Sequence, residues 1–517
     1  MTKQNFLKGT IILIVAGMIT RFLGFINRIV VARLMGEEGI GLYNMALPTL
    51  FLMYTISQIG LPIAIAKRVA EADAKKDKRK IKQILLISLT ITISLSMIST
   101  VVMFLISPYI AHYLLTDQRV YYPLLAIIPI IPISAISSVL RGYFQGKQNM
   151  KPQSFAQVLE QIVRIGCIIA LVSWLAPFGI EWAASGAMVA VIIGETVSLL
   201  FMINMFRIKK QIKLRSQLFD YLRTGKETLQ QLFSIAIPST ASRLVGSVSN
   251  FLEPILVSQS LALAGFKTAV ATKQYGILTG YAFPLLFLPT FITHSLAVAL
   301  VPNISEAEAH NHHQLIQYRI HQAIRLSFAS GAIATVILSL FSEPILDAMY
   351  GSTSASRFLE LMAPCYLFMY IQFPLNATLQ ALDLAKQAMW NSIIATMIKF
   401  IILIALTTSP SFGIYGAAIG MCVGVIIGTI LHLITLYRSI QFRIPMLMIG
   451  KMIVLLGLTY WAGILLSKIF PFTNFIQFLP VLLLLCICYV LFLFSLQFIN
   501  KDELRQLRKK RPGQKSN

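Results

Sequence analysis

The stretch from Ile84 to Ile106, ILLISLTITISLSMISTVVMFLI, runs without a charged residue. About 20 apolar residues suffice to cross the hydrocarbon core as a helix, so this segment reads as a membrane span. Its N-terminal flank, residues 67–82, holds eight basic and three acidic residues. A basic flank on an apolar run marks a cytoplasmic loop. Residues 400–407 with their flanks and residues 481–498 are further runs of the same kind.

Outward from these runs, the 517-residue chain is 56% hydrophobic and only 12% charged. A soluble domain carries about twice that charged share. The net charge of +24 is confined mostly to short loops between apolar runs, which argues for membrane topology and against nucleic-acid binding. Cys167, Cys365, Cys422, Cys486 and Cys488 all lie in apolar stretches and read as small buried hydrophobes. Cys486 and Cys488 are too close together and too deep in a span for a zinc site. Lys3 and Lys8 before residues 11–19 imitate a signal peptide, but Arg21 interrupts the run and no small-residue cleavage site follows. The segment reads as an uncleaved first span.

The expected fold is an all-α polytopic membrane protein with about fourteen transmembrane helices. Open strands cannot span lipid, because their backbone groups would lack partners. The spans fall near 8–32, 42–66, 82–107, 121–145, 154–175, 182–206, 230–257, 274–300, 319–342, 357–381, 388–408, 413–437, 447–468 and 474–498. Residues 207–226 carry seven basic and one acidic residue, and residues 501–515 seven basic and two acidic. An even number of spans between these basic segments puts them on one side of the cytoplasmic membrane, with both termini in the cytoplasm. The opposite loops carry Glu37, Glu38, Asp117, Glu181, Glu343 and Asp347.

The chain reads as internally duplicated. Gly179-Ile180 with Val191-Ile192-Ile193-Gly194 recurs as Gly413-Ile414 with Val425-Ile426-Ile427-Gly428. Lys147-Gln148 and Met150 match Lys386-Gln387 and Met389, and Arg21-x-x-Gly24 matches Arg243-x-x-Gly246. Two pseudo-symmetric six-helix lobes follow: an N-lobe over 1–215 and a C-lobe over 216–440. A helix pair over 441–500 and a basic cytoplasmic tail over 501–517 complete the chain. Six spans per half give both halves the same orientation, related by an axis along the membrane normal, with a cleft expected between them. Pro48, Pro62, Pro129, Pro132, Pro238, Pro254, Pro284, Pro289, Pro364 and Pro374 fall within expected spans. They fit either rocking helices around a cleft or the ordinary frequency of proline in membrane helices.

A charge at mid-bilayer costs about 2.5–3.5 kcal/mol on insertion scales, so each needs a partner or a wet cavity. Arg21 and Arg28 lie seven apart and share a face of the first span, with Gly24 between them on nearly the same stripe. Arg243 with Gly246 occupies the equivalent place on the seventh. Guanidinium groups bind phosphate oxygens in pairs, so these three point to a pyrophosphate-like head group. Pairing with internal carboxylates such as Glu253 is the alternative. Glu160 and Arg164 are spaced for an ion pair on the fifth span, which fits a structural role or a substrate contact. Glu195 and Lys399 read as lone intramembrane charges, Lys399 falling at the repeat position of Glu160. Glu160, Glu195 and Glu253 are candidates for a coupling cation or proton. Arg33 reads as snorkelling to the interface, His294 and His432 as wall or core residues, and His310, His312 and His313 as a solvated loop. No Walker A, H-E-x-x-H, G-x-S-x-G or dinucleotide fingerprint is present. No enzyme, cofactor or metal is therefore expected. A coupling cation or the membrane potential is left to supply the energy.

Gly36-Glu37-Glu38-Gly39-Ile40-Gly41-Leu42-Tyr43, Leu140-Arg141-Gly142-Tyr143-Phe144-Gln145-Gly146 and Glu160-Gln161-Ile162-Val163-Arg164, with the opening Phe6-Leu7-Lys8-Gly9-Thr10, resemble the stage V sporulation protein B family. That family sits among polysaccharide-biosynthesis relatives, in the lipid II flippase-like branch of the multidrug/oligosaccharidyl-lipid/polysaccharide exporter superfamily. The resemblance covers essentially the whole chain. It implies a fourteen-helix fold and movement of a lipid-linked oligosaccharide, lipid II or a similar undecaprenyl-pyrophosphate sugar, for spore cortex peptidoglycan. It also implies a cavity arginine at Arg21, from the motif Arg21-Phe22-Leu23-Gly24-Phe25. The lipid II flippases carry a second arginine where this chain has Asn27, beside Arg28. They also carry arginines on helices two and eight, where residues 47–54 and 276–284 have none. Pyrophosphate recognition here must then use a different set: Arg21, Arg28, Arg243, Asn27 and Arg164.

The expected partners are the lipid-linked substrate, membrane lipids and cell-wall synthases. A cation-coupled small-molecule exporter with an acid-lined cavity, and a non-transporting scaffold for cell-wall synthesis, are the competing functions.

Overall fold

The computed structural model describes residues 3–208, 226–471 and 475–498. The expected lobe boundary at 215–216, most of the basic segment 207–226 and the tail 501–517 lie outside the described residues. Among the described residues every regular element is a helix. Ten helices are long and apolar enough to cross a membrane, and twelve if each of two bent pairs is one span. The chain is a multi-pass, all-α membrane protein.

The chain divides into two compact units, residues 1–281 with 404–414, and residues 282–403 with 415–517. The first holds α1 (Lys3–Gln58), α2 (Leu61–Ala74), α3 (Lys78–Tyr109), α4 (Tyr121–Ile127), α5 (Ile130–Gly146), α6 (Lys151–Leu175), α7 (Ile180–Ile208), α8 (Lys226–Leu263) and α9 (Thr268–Gly276). Its core gathers Leu61, Ile65, Ile84, Leu85, Val139, Phe144, Met202 and Leu232 from five helices. Asp77 caps α3, its carboxylate accepting from the Lys80 N–H at 2.9 Å. This satisfies one of the open donors at the start of the long apolar helix.

Where the structure departs from the expected spans, glycine and proline are the cause. The first two spans lie in one continuous stretch, broken at Gly36 with φ 67° and ψ −173°, a conformation glycine adopts without a Cβ clash. The second span stops at Gln58 rather than near 66, because Ile59 and Gly60 turn with positive φ and Pro62 opens α2. The expected spans 121–145 and 274–300 are each bent, by 41° and 52°. The breaks come at Pro129 and Pro289, which cap the following helices. Proline removes a backbone donor and cannot continue the preceding ladder. Pro48, Pro364 and Pro374 lie inside continuous helices.

The second unit holds α10 (Phe283–Phe287), α11 (Thr290–Ala309), α12 (His313–Leu340), α13 (Ser342–Tyr350), α14 (Ser356–Ala381), most of α15 (Ala385–Thr407), α16 (Ile414–Ile440), α17 (Met446–Ile469) and α18 (Phe475–Ser495). Tyr370 is fully buried in it, and its hydroxyl donates to the Leu286 carbonyl at 2.8 Å. The final helix pair is anchored to this unit. Phe341, Ala462, Phe478, Val481 and Leu485 form one apolar cluster, and the Tyr489 hydroxyl donates to the Ala329 carbonyl at 2.5 Å.

Candidate functional site

α1 and α8 pack within the first unit, joined by a 2.7 Å hydrogen bond between the Thr55 and Ser247 hydroxyls. Arg21 and Arg28 on α1 and Arg243 on α8 are exposed. A Cβ added at Gly24 or Gly246 would meet nothing within 4 Å. The arginine stripe is thus open at both glycines. Among the described residues no carboxylate lies within ion-pair distance of Arg28 or Arg243. Asn27, beside Arg28, is buried, and its Oδ1 has no hydrogen-bond partner.

A second charged group lies deeper, on α5, α6 and α7. Arg164 forms a close ion pair with Glu160 one turn away. Glu195, expected as a lone charge, is paired: its Oε1 lies 3.4 Å from Arg141 Nη2. That contact lacks hydrogen-bond geometry, so Glu195 Oε1 remains without a hydrogen bond, as do Arg164 Nε and Gln161 Oε1. Glu160 sits within electrostatic reach of Glu195, Arg164 and Arg141, and Tyr54 on α1 within reach of all four. Two carboxylates and two guanidiniums therefore share one buried neighbourhood with no net charge. Arg141 is the member the sequence reading missed. Its signal was present, an arginine inside the apolar run 130–146, but it was read only as part of a family motif.

The remaining candidates fall elsewhere. Glu253 on α8 lies within electrostatic reach of the buried Tyr275 on α9. Lys399 belongs to the second unit, its ammonium 4.6 Å from the Phe400 ring centroid. His432 is fully buried, with Nδ1 3.2 Å from the Asn391 amide, and His294 packs edge-on against Phe373. Arg33 is exposed. The described cysteines are all free, and no group of three metal-ligating side chains occurs among the described residues.

A polar network also missed at the sequence level ties three segments at one end of the first unit. Asp117, in the turn before α4, is buried. It accepts from the Arg119 backbone N–H and Nε at 3.0 Å, from Arg119 Nη2 at 2.9 Å and from the Thr272 hydroxyl at 2.7 Å. Arg119 Nη1 also reaches Glu38 on α1 at 2.7 Å, and Lys273 pairs with Glu37 at 3.2 Å. Burial pushes the Asp117 carboxyl upward, but the donors from Arg119 and Thr272 and the guanidinium charge outweigh it and hold it below its ordinary value.

Apolar helices by the dozen, buried compensated charges and an exposed arginine stripe define a membrane transporter rather than an enzyme. The fold matches that of a solved structure, the lipid II flippase MurJ in an inward closed conformation. The TM-score is 0.72, over 93% of this chain and 98% of that one, at 14% identity. Residues 6–308 match the family described as polysaccharide biosynthesis protein, and residues 278–406 match MatE. Stage V sporulation protein B of Bacillus subtilis (strain 168) is 48% identical over 512 residues, 98% of each chain. Lipid II flippase MurJ of the same organism is 25% identical over 77% of each. The chain belongs to the polysaccharide biosynthesis protein family.

Proposed function

We propose that the chain is a flippase. Its cargo is a lipid-linked oligosaccharide cell-wall precursor with an undecaprenyl-pyrophosphate head, lipid II or a close analogue. It moves this cargo across the cytoplasmic membrane by alternating access, for spore cortex peptidoglycan. Arg21, Arg28 and Arg243 receive the pyrophosphate, with Asn27 beside them, and Arg164 joins only when its pair with Glu160 opens. The observation that carries this reading is the exposed arginine stripe on two packed helices, flanked by open space at Gly24 and Gly246. Three cations in so apolar a protein are costly unless an anion or water meets them. Similarity to a sporulation protein and to a lipid II flippase supports the choice of cargo.

The reading takes the chain as crossing fourteen times, with both termini in the cytoplasm. Twelve spans become fourteen when the first stretch is divided at Gly36 and the 38-residue α8 is added. Cell-wall synthases are the proposed protein partners.

The test is precursor translocation into vesicles reconstituted with the purified protein. Arg21→Ala, Arg28→Ala and Arg243→Ala should each lower the rate about tenfold or more, since a charge-assisted contact contributes roughly 1.5–3 kcal/mol. Full activity in all three variants, at normal expression, would sink the assignment. A second reading, a cation-coupled exporter of small molecules, is favoured by the buried pair of carboxylates Glu160 and Glu195. Drug efflux that follows a cation gradient and disappears in Glu160→Gln and Glu195→Gln would support it.

A further inference from the structure

Four helix ends meet at one end of the second unit: the starts of α12 and α17 and the ends of α16 and α18. The linker after α16 crosses α12 and is fastened there. His321 Nε2 donates to the Arg443 carbonyl at 2.8 Å, its ring lies 4.7 Å from that of Phe442, and the Gln317 amide donates to the Ile440 carbonyl at 3.4 Å. Beside this crossing lies a pocket of about 300 Å³, lined among others by Tyr318, His321 and Arg325 of α12, Leu447 and Lys451 of α17, and Phe498. The residues lining it include no Asp or Glu. Its fixed charges, Arg325 and Lys451, are both positive. α17 begins without a side-chain cap, so the positive end of its dipole adds to the same field. Next to the pocket, Met446 and Leu447 present apolar side chains that are 83% and 74% exposed.

We propose that this pocket binds the phosphate of an anionic membrane phospholipid, with the acyl chains lying along the exposed apolar residues that open α17. A guanidinium and an ammonium from two helices suit a phosphodiester. Basic pockets between helices at a membrane surface hold anionic head groups. An apolar apron beside a cationic pocket fits a lipid better than a free ion, which needs no apolar contact. The site uses none of the arginines assigned to the cargo, so it stands or falls separately from the transport reading. It would hold a resident lipid against the final helix pair.

The test uses the full chain in detergent, titrated with dioleoyl phosphatidylglycerol or dioleoyl phosphatidylcholine, with one-to-one adducts counted by native mass spectrometry. The wild type should take up phosphatidylglycerol at about tenfold lower concentration than phosphatidylcholine. Arg325→Gln with Lys451→Gln should abolish that preference. Lys468→Gln, at the far end of α17, should retain it. Lys451→Gln alone touches only the half-exposed residue and should weaken the preference several-fold without changing elution volume, which covers misfolding of the double variant. An unchanged preference in the pocket variants would overturn the site. Displacement of the lipid by millimolar inorganic phosphate would overturn its assignment to a lipid.

Discussion

Glu195 looks solitary along the chain because its partner, Arg141, sits on another helix. The fold brings them to 3.4 Å, beside the Glu160 and Arg164 pair. Both acids are buried, so removing one guanidinium leaves an uncompensated charge. Arg141→Ala should destabilise the protein by about 3–5 kcal/mol. Arg141→Ala with Glu195→Ala should cost much less, because both charges leave together. Thermal unfolding in detergent across this double-mutant cycle measures the coupling, and additive losses would show that the two residues do not act as a pair.

Asp117 gives a pH prediction. Its carboxyl is held below the ordinary 3.8. Its contribution is therefore fully present above that value and lost as pH falls through the lower folded value. Asp117→Asn should cost about 1–3 kcal/mol at neutral pH. The gap in melting temperature between variant and wild type should stay constant down to about pH 5 and narrow below pH 4. A gap that closes on the alkaline side would contradict the assignment.

At the scale of elements, α1 and α9 are pressed together at two glycines. A Cβ at Gly276 would lie 2.0 Å from the Glu37 carbonyl oxygen, and one at Gly41 would lie 2.2 Å from that of Thr272. Both obstacles are backbone, which cannot swing away as a side chain can. Gly276→Ala should therefore lower stability by about 3 kcal/mol or more. Gly246→Ala, facing open space, should be neutral or slightly stabilising through helix propensity. Melting curves of the two variants, measured side by side, test the contrast, and equal losses would refute it. The apolar runs gave away the helices, and prolines 129 and 289 lie where the two bent spans break. Which glycines serve close approach was not legible. Gly24, Gly41, Gly246 and Gly276 look alike in sequence, and only the neighbouring helix distinguishes a contact from a gap.

For the whole molecule, the asymmetry of Lys and Arg between loops sets the orientation. An alkaline phosphatase fusion after Thr116 should be active, because that turn lies outside. A fusion after Asn149 should be inactive, and a fluorescent protein at the C-terminus should fold and fluoresce in the cytoplasm. Phosphatase activity at position 149 would invert the topology. Resemblance to a transporter family was also readable at this scale, from motifs spread along the entire chain.

By itself the sequence determined that this is a helical membrane protein, and it marked which residues are costly to bury there. Both follow from one-dimensional quantities: the length of an apolar run against the thickness of the bilayer, and the charge placed within it. Tertiary structure alone decided that Glu195 is answered by Arg141, that Asp117 binds three segments together and that His321 helps shape a cationic pocket. Those are relations between helices far apart in the chain, and a local pattern has no means of recording which faces meet.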